Sequence, residues 1–124
     1  LDSMRFAENS QPAHSIQSWS EDGIVIDDKL IKHSVLVSPD TLQTWPPPGV
    51  AELTTAHIDQ CTALQPEVVI IGTGKTLKFP AGHITAGLQQ LGVGVAFMAN
   101  DAACRTFNVL LSEDRRVVVA LMLG

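Results

Sequence analysis

Two stretches of this chain hold side chains set at intervals that suggest a reaction or a bound ligand. The first, "VVIIGTGKT" at residues 68–76, ends in Gly-Lys-Thr as a nucleotide-binding P-loop does. A P-loop sets a glycine, then four free positions, before Gly-Lys-Ser/Thr, and its backbone amides cradle phosphate at the start of a helix. The spacing fails that test. Counting back from Gly74 puts Val69 where the first glycine belongs, and Leu77-Lys78-Phe79 runs into Pro80, which holds its predecessor away from helical angles. With ATP and GTP chemistry set aside, Gly72-Thr73-Gly74 reads either as a tight turn or as a place where backbone approaches a ligand closely.

The second stretch is Asp101, Cys104, Arg105 and Asn108, at i, i+3, i+4 and i+7. On a helix these make one polar stripe, with Ala103, Phe107 and Leu110 on the opposite, core-facing side. Asp101 suits the helix N-terminus and can pair with Arg105 one turn later, which on its own makes only a solvated face with an ordinary ion pair. Cys104, in the first turn beside Arg105, has surroundings that lower a thiol pKa. No base accompanies it. His14, His33, His57 and His83 are distant along the chain and show no metal-ligand spacing. His57 sits on an apolar helix stripe and reads as a core residue, and Cys104 reads as a buried structural thiol. The reading therefore carries no catalytic residue, no metal site and no cofactor. The candidate ligand- or partner-binding set is Gly72, Thr73, Gly74, Asp101, Cys104, Arg105 and Asn108.

These residues need elements to position them. Residues 1–14 are polar and read as a flexible segment, with 15–124 as a single α/β domain. Met4 reads as the native start, with Leu1-Asp2-Ser3 added ahead of it. Ile16 to Val37 reads as strands, with a turn at Asp27-Asp28, and Pro46-Pro47-Pro48-Gly49 breaks this N-terminal β-meander from the second half of the chain. Leu53, His57, Cys61 and Leu64 then recur at helical spacing, with Thr54 or Thr55 as cap and Pro66 as stop. Val68–Ile71 is an apolar run of the kind found in strands covered on both faces, and "VGVAFM" at 93–98 reads as a second. Between them Ile84, Leu88 and Leu91 mark a helix closed by Gly92. Asn100 or Asp101 caps a third helix, and "VVVALML" at 117–123 is a last strand. Strand, helix, strand, helix, strand at these lengths implies parallel crossovers. The fold class is α/β: a mixed central sheet with parallel β-α-β-α-β crossovers in the second half, helices packed on it, and an additional N-terminal β-meander. In such sheets ligands bind outside the carboxyl ends of the strands, which places Gly72–Gly74 and Ala99-Asn100-Asp101 on one edge.

Composition narrows the partners. At 124 residues, 45% hydrophobic, the chain can bury a core unaided. A net charge of −5 disfavours nucleic acid and anionic membrane, and Trp19 and Trp45 are too few for a base-stacking platform. Two cysteines make no disulfide framework and fit a reducing compartment. No apolar run reaches the ~20 residues of a membrane span. The N-terminus carries neither a signal-peptide run nor an arginine-rich transit pattern, so a bacterial cytoplasmic location is expected, or a mitochondrial one for a processed eukaryotic member.

"VVIIGTGKTLKFP", "LGVGVAFM" and "AACRTFNVLLSEDRRVVVALM" together resemble a small single-domain family of largely unknown biochemical role, which includes the mitochondrial complex I assembly factor 3 and the adipogenesis-associated domain protein. Residues 102–108 are the most specific part. The resemblance implies a mixed sheet with helices and an extra β layer, and an assembly or interaction module without established catalysis. By position, Gly72, Gly74, Cys104, Arg105 and Asn108 match the family motif. Ala96 stands where the family often has an acidic residue, and Ala99-Asn100 where it has Asp-Thr. The implied function is a non-enzymatic binding or assembly module with a protein partner, homo-oligomerisation being open. The alternative is a small-molecule-binding protein or enzyme using the Gly72–Gly74 turn and the Cys104/Arg105 helix face.

Overall fold

The computed structural model describes residues 16–123. The expected flexible segment 1–14 and the start at Met4 lie outside the described residues. A three-stranded antiparallel meander comes first: β1 (Ile16–Ser20), β2 (Gly23–Ile26) and β3 (Lys29–Ile31). Asp27 and Asp28 form its second turn with φ of 53° and 68°, the paired left-handed geometry whose twist matches a two-residue hairpin.

The central sheet has five strands in the order β5-β4-β8-β6-β7. β4 (Val35–Val37) and β5 (Leu42–Thr44) pair antiparallel, and β4 also lies antiparallel to β8 (Val117–Leu121). The "KLIKHSVLV" stretch therefore splits: its first half ends the meander and its second half joins the main sheet. β6 (Val68–Gly72) runs parallel to β8 on one side and to β7 (Gly94–Met98) on the other.

This order explains where the helices go. The crossover from β6 to β7 moves one way across the sheet, and that from β7 to β8 moves back over β6. With right-handed crossovers in both cases, the connecting helices fall on opposite faces. On one face α1 (Thr55–Thr62) and α2 (Ala86–Gln90) cover Val69, Ile71, Val118, Ala120 and Met122. On the other, α3 (Asn100–Ser112) and the meander cover Ile70, Val117, Val119 and Leu121. The alternation along β8 divides one apolar run between two cores, and every residue of the strand is buried.

Local signals account for the helix ends. Thr54 caps α1: its side chain accepts from the His57 amide, and the His57 ring accepts from the Thr54 amide at 3.1 Å. His57 is therefore a half-buried capping partner, packed edge-on to Trp45 at 6.1 Å, rather than an enclosed core residue. Gly92, with φ of 77°, follows α2 as expected. Leu91 does not reach the core. A 3-10 turn over Gly82–Ile84 takes up the start of the expected helix, α2 is left with little more than one turn, and Leu91 is 65% exposed. β7 also departs from expectation. It is the edge strand and only half-buried, because β8, not β7, occupies the middle of the sheet.

Gly72 ends β6 where no side chain fits. A Cβ there would overlap Asn100 Oδ1 and come within 2.6 Å of Leu121 Cδ2. Gly72→Ala should cost about 2 kcal/mol of stability, the usual range for forced overpacking. Gly82→Ala, in open space, should change little. Urea unfolding of both variants checks this, and equal midpoints would contradict it.

Candidate functional site

The loops after β6 and β7 meet at the carboxyl edge of the sheet. Their connections leave toward opposite faces, which in open α/β sheets opens a ligand-binding crevice. Here the crevice is stitched closed. The Thr73 amide donates to Met98 O at 2.8 Å, the Asn100 amide to Gly74 O at 2.8 Å, and the Gly74 amide to Asn100 Oδ1 at 3.1 Å. Asn100 Nδ2 then donates to Met122 O at 3.0 Å, beyond β8. The side chain is fully buried. One carboxamide, with a donor and an acceptor on one plane, thus joins the ends of three parallel strands. Asn100 is accordingly not the cap of α3. Ala99 holds the N-cap position without a side-chain hydrogen bond, and Asn100 is the first helical residue.

The sequence-derived residues are divided by this arrangement. Gly72 is enclosed, and its lack of a side chain makes room for Asn100 and Leu121. The buried Thr73 hydroxyl donates to Thr76 O at 2.8 Å and accepts from the Lys78 amide at 3.1 Å, so it ties down the Gly-Lys-Thr segment. No helix follows directly after Thr76, and Lys75 pairs with Glu21 at 3.4 Å instead of aiming at a phosphate cradle. Gly74 has φ of 104° and open space where a Cβ would stand. With Thr73, Lys75 and Lys78 it lines a shallow cleft of about 440 Å³ whose far wall is Gly49, Val50 and Glu52.

Asp101, Cys104, Arg105 and Asn108 line a different cavity, of about 250 Å³, against β1. The expected polar stripe is thus not one solvated face. Asp101 and Arg105 do form an exposed i,i+4 ion pair at 3.6 Å, weak by its exposure. Asn108 is a structural clamp. Its Nδ2 donates to Ile16 O at 2.7 Å and its Oδ1 accepts from the Ile16 amide at 3.4 Å, as a neighbouring strand would. Cys104 lies under β1 in the core with Ile16, Ile24 and Phe107. Burial, then the Asp101 carboxylate, push its thiol up to about 12, and Arg105 opposes them only weakly. Burial raises the Cys61 thiol to about 12 as well. A group so hard to ionise is a poor nucleophile near neutral pH. Beside Cys104, Trp19 Nε1 is buried without a hydrogen-bond partner among the described residues. No cluster of three or more metal-ligating side chains occurs among the described residues.

Asn100 is the residue that sequence reasoning missed. Its signal was its place: an amide side chain directly after a strand, opposite a Gly-x-Gly turn that leaves room for it.

Residues 16–122 match the family model described as "Protein of unknown function (DUF498/DUF598)". This chain belongs to that family. A related protein, the 13 kDa major membrane protein of Francisella tularensis subsp. holarctica (strain LVS), is 37% identical over 68 residues, 55% of either chain. NADH dehydrogenase (ubiquinone) 1 alpha subcomplex assembly factor 3 of Bos taurus is 27% identical over 109 residues, covering 86% of this chain and 59% of that protein. The chain therefore spans somewhat over half the length of these two curated relatives. An NMR structure of a Xanthomonas campestris protein shares the fold with a TM-score of 0.83 at 33% identity, over 96% of this chain and 91% of that one. Although the Francisella relative is named a membrane protein, no helix among the described residues of this DUF498/DUF598 chain is long and apolar enough to cross a membrane.

Asn100→Ala should leave the Gly74 amide and the Met122 carbonyl buried and unpaired, at a cost of about 3 kcal/mol. Asn100→Asp keeps the acceptor and loses the donor, so it should not restore stability. Thermal unfolding of both variants is the check. A mild effect of Asn100→Ala would show the crevice to be held by the backbone bonds alone.

The thiols give a pH test. Both have folded pKa values of about 12 against an ordinary 9.0. The folded state therefore keeps protons that the unfolded chain loses, and this contribution is complete below about pH 9 and lost as pH rises toward 12. The urea midpoint should fall above pH 9, and Cys104→Ala should make that fall shallower. An identical slope in the variant would place the Cys104 thiol in contact with water.

Proposed function

We propose that this chain is a non-enzymatic protein-binding module with an assembly role, and that the interface is the open edge of β7 with its flanking apolar side chains. One observation carries the reading: Phe79 is 68% exposed, yet held edge-on to Phe97 of β7 with ring centroids 5.7 Å apart. A large aromatic fixed at a strand edge and left in water is the kind of anchor that protein interfaces bury. Leu91, 65% exposed, precedes the other end of the strand. The related complex I assembly factor lends support by its name. The raised Cys104 thiol argues against nucleophilic catalysis, and the net charge of −5 against nucleic acid. Asp101 and Arg105, exposed at the start of α3 on the side facing β1, are proposed as polar contacts apart from the β7 edge, whereas Gly72, Cys104 and Asn108 hold the fold.

A second reading, small-molecule binding, has one observation behind it. The unpartnered Trp19 indole N–H is buried in the wall of β1 that lines the 250 Å³ cavity with Arg105 and Asp101. An acceptor-bearing ligand would satisfy it once the indole turned toward the cavity.

A photo-reactive phenylalanine analogue placed at Phe79 and at Leu91, in cells of the source organism, tests the first reading. Protein adducts are expected at both positions and none at Gln43, on the opposite edge of the sheet. Absence of any protein adduct at Phe79 or Leu91 would overturn the interface and favour the small-molecule reading.

A further inference from the structure

The free edges of the two sheets are not alike. β5 is three exposed residues running into Trp45-Pro46-Pro47-Pro48, β3 is three residues bearing Lys29 with Lys32 just beyond, and β1 has an irregular register between Ile16 and Ser18 and is clamped by Asn108. Short length, lysine, proline and bulges are the devices that keep an edge from pairing with another chain. β7 has none of them. It is five residues, Gly94-Val95-Ala96-Phe97-Met98, in unbroken register with β6 and without a charge.

The hydrogen-bond phase of β7 is self-complementary. The Gly94 amide donates to Glu67 O, and Met98 O accepts from the Thr73 amide, so Gly94, Ala96 and Met98 direct their backbone groups toward β6. Val95 and Phe97 must then direct theirs outward. These two residues stand symmetrically about Ala96. In an antiparallel pairing of two such strands on a two-fold axis through Ala96, Val95 of each copy faces Phe97 of the other. Each of these pairs exchanges both of its N–H···O bonds, and Ala96 meets Ala96 at the close, non-hydrogen-bonded position. The side chains agree with this register. Val95 and Phe97 lie on the α2 face of the sheet, so each Phe97 gains a β-branched cross-strand neighbour, and Phe79 borders the seam. The uncharged strand brings no like charges together across the axis.

We infer that the partner on this edge is a second copy of the chain, joined β7 to β7 antiparallel about Ala96 into one continuous sheet. The inference rests on the proposed reading of this face as a protein interface.

Sedimentation equilibrium of the wild-type chain should show a dimer. Val95→Pro removes an outward N–H without touching the ladder to β6, and should weaken self-association about tenfold or more while keeping the circular dichroism of the fold. Ala96→Cys should give a disulfide-linked dimer on mild oxidation, because the two cysteines would meet at the axis, and Gln43→Cys on the opposite edge should not. If Val95→Pro fails to fold, the cross-linking pair decides alone. A monomeric wild type, or a dimer that survives Val95→Pro and gives no Ala96→Cys bridge, overturns the inference. Phe79 adducts to a different protein with a monomeric wild type would sink self-pairing and leave the interface reading standing, whereas no adduct of any kind together with a monomer would sink both.

Discussion

The carboxamide of Asn100 is the contact on which the carboxyl edge of the sheet depends. It accepts from the turn after β6 and donates to the residue after β8, while its own backbone extends β7 into α3. Few side chains could replace it. Aspartate has no donor for the Met122 carbonyl, leucine would leave two buried backbone groups unpaired, and a longer amide would not fit against Gly72. The demand propagates: β6 must end in glycine because the amide lies where a Cβ would be. What reads as a glycine-rich functional loop is in large part the space that one buried amide requires.

Closing the crevice moves the available chemistry elsewhere. Asn100 bridges the crevice between β6 and β7, and the Cys104 thiol lies under β1, where burial raises its pKa. The exposed features are a charged pair at the start of α3, a cleft flanked by Lys75 and Lys78, and the apolar margin of β7. The last combines apolar area with the fixed edge-on packing of Phe79 on Phe97.

Much of the architecture was legible in the sequence, because the signals concerned are local. The apolar runs at 68–71 and 117–123, the Thr54 cap and the Gly92 stop give the order of elements, and the order gives parallel crossovers. What local pattern could not show was lateral position in the sheet. "VGVAFM" and "VVVALML" look alike as runs, yet one lies at the margin and the other at the centre. The α3 stripe misled at Asn108 for a related reason: it stands at solvent-like spacing, but β1, more than eighty residues away along the chain, covers it, whereas Cys104 is buried as its reading expected. Asn100 passed for a cap because asparagine beside a helix start commonly is one. Its distant partner, Met122, has no mark in the sequence.

The placement of β8 bears on how the chain is made. The last of the described strands is the middle one of its sheet, hydrogen-bonded to β4 on one side and β6 on the other. During vectorial synthesis β4–β5 and β6–β7 emerge as separate ribbons with no shared ladder, each exposing backbone and apolar faces to solvent or to a chaperone. The sheet becomes one body only when Val117–Leu121 inserts between them. The two ribbons therefore share no ladder until Val117–Leu121 is present to lie between them, and until then their facing edges are open to wrong pairing.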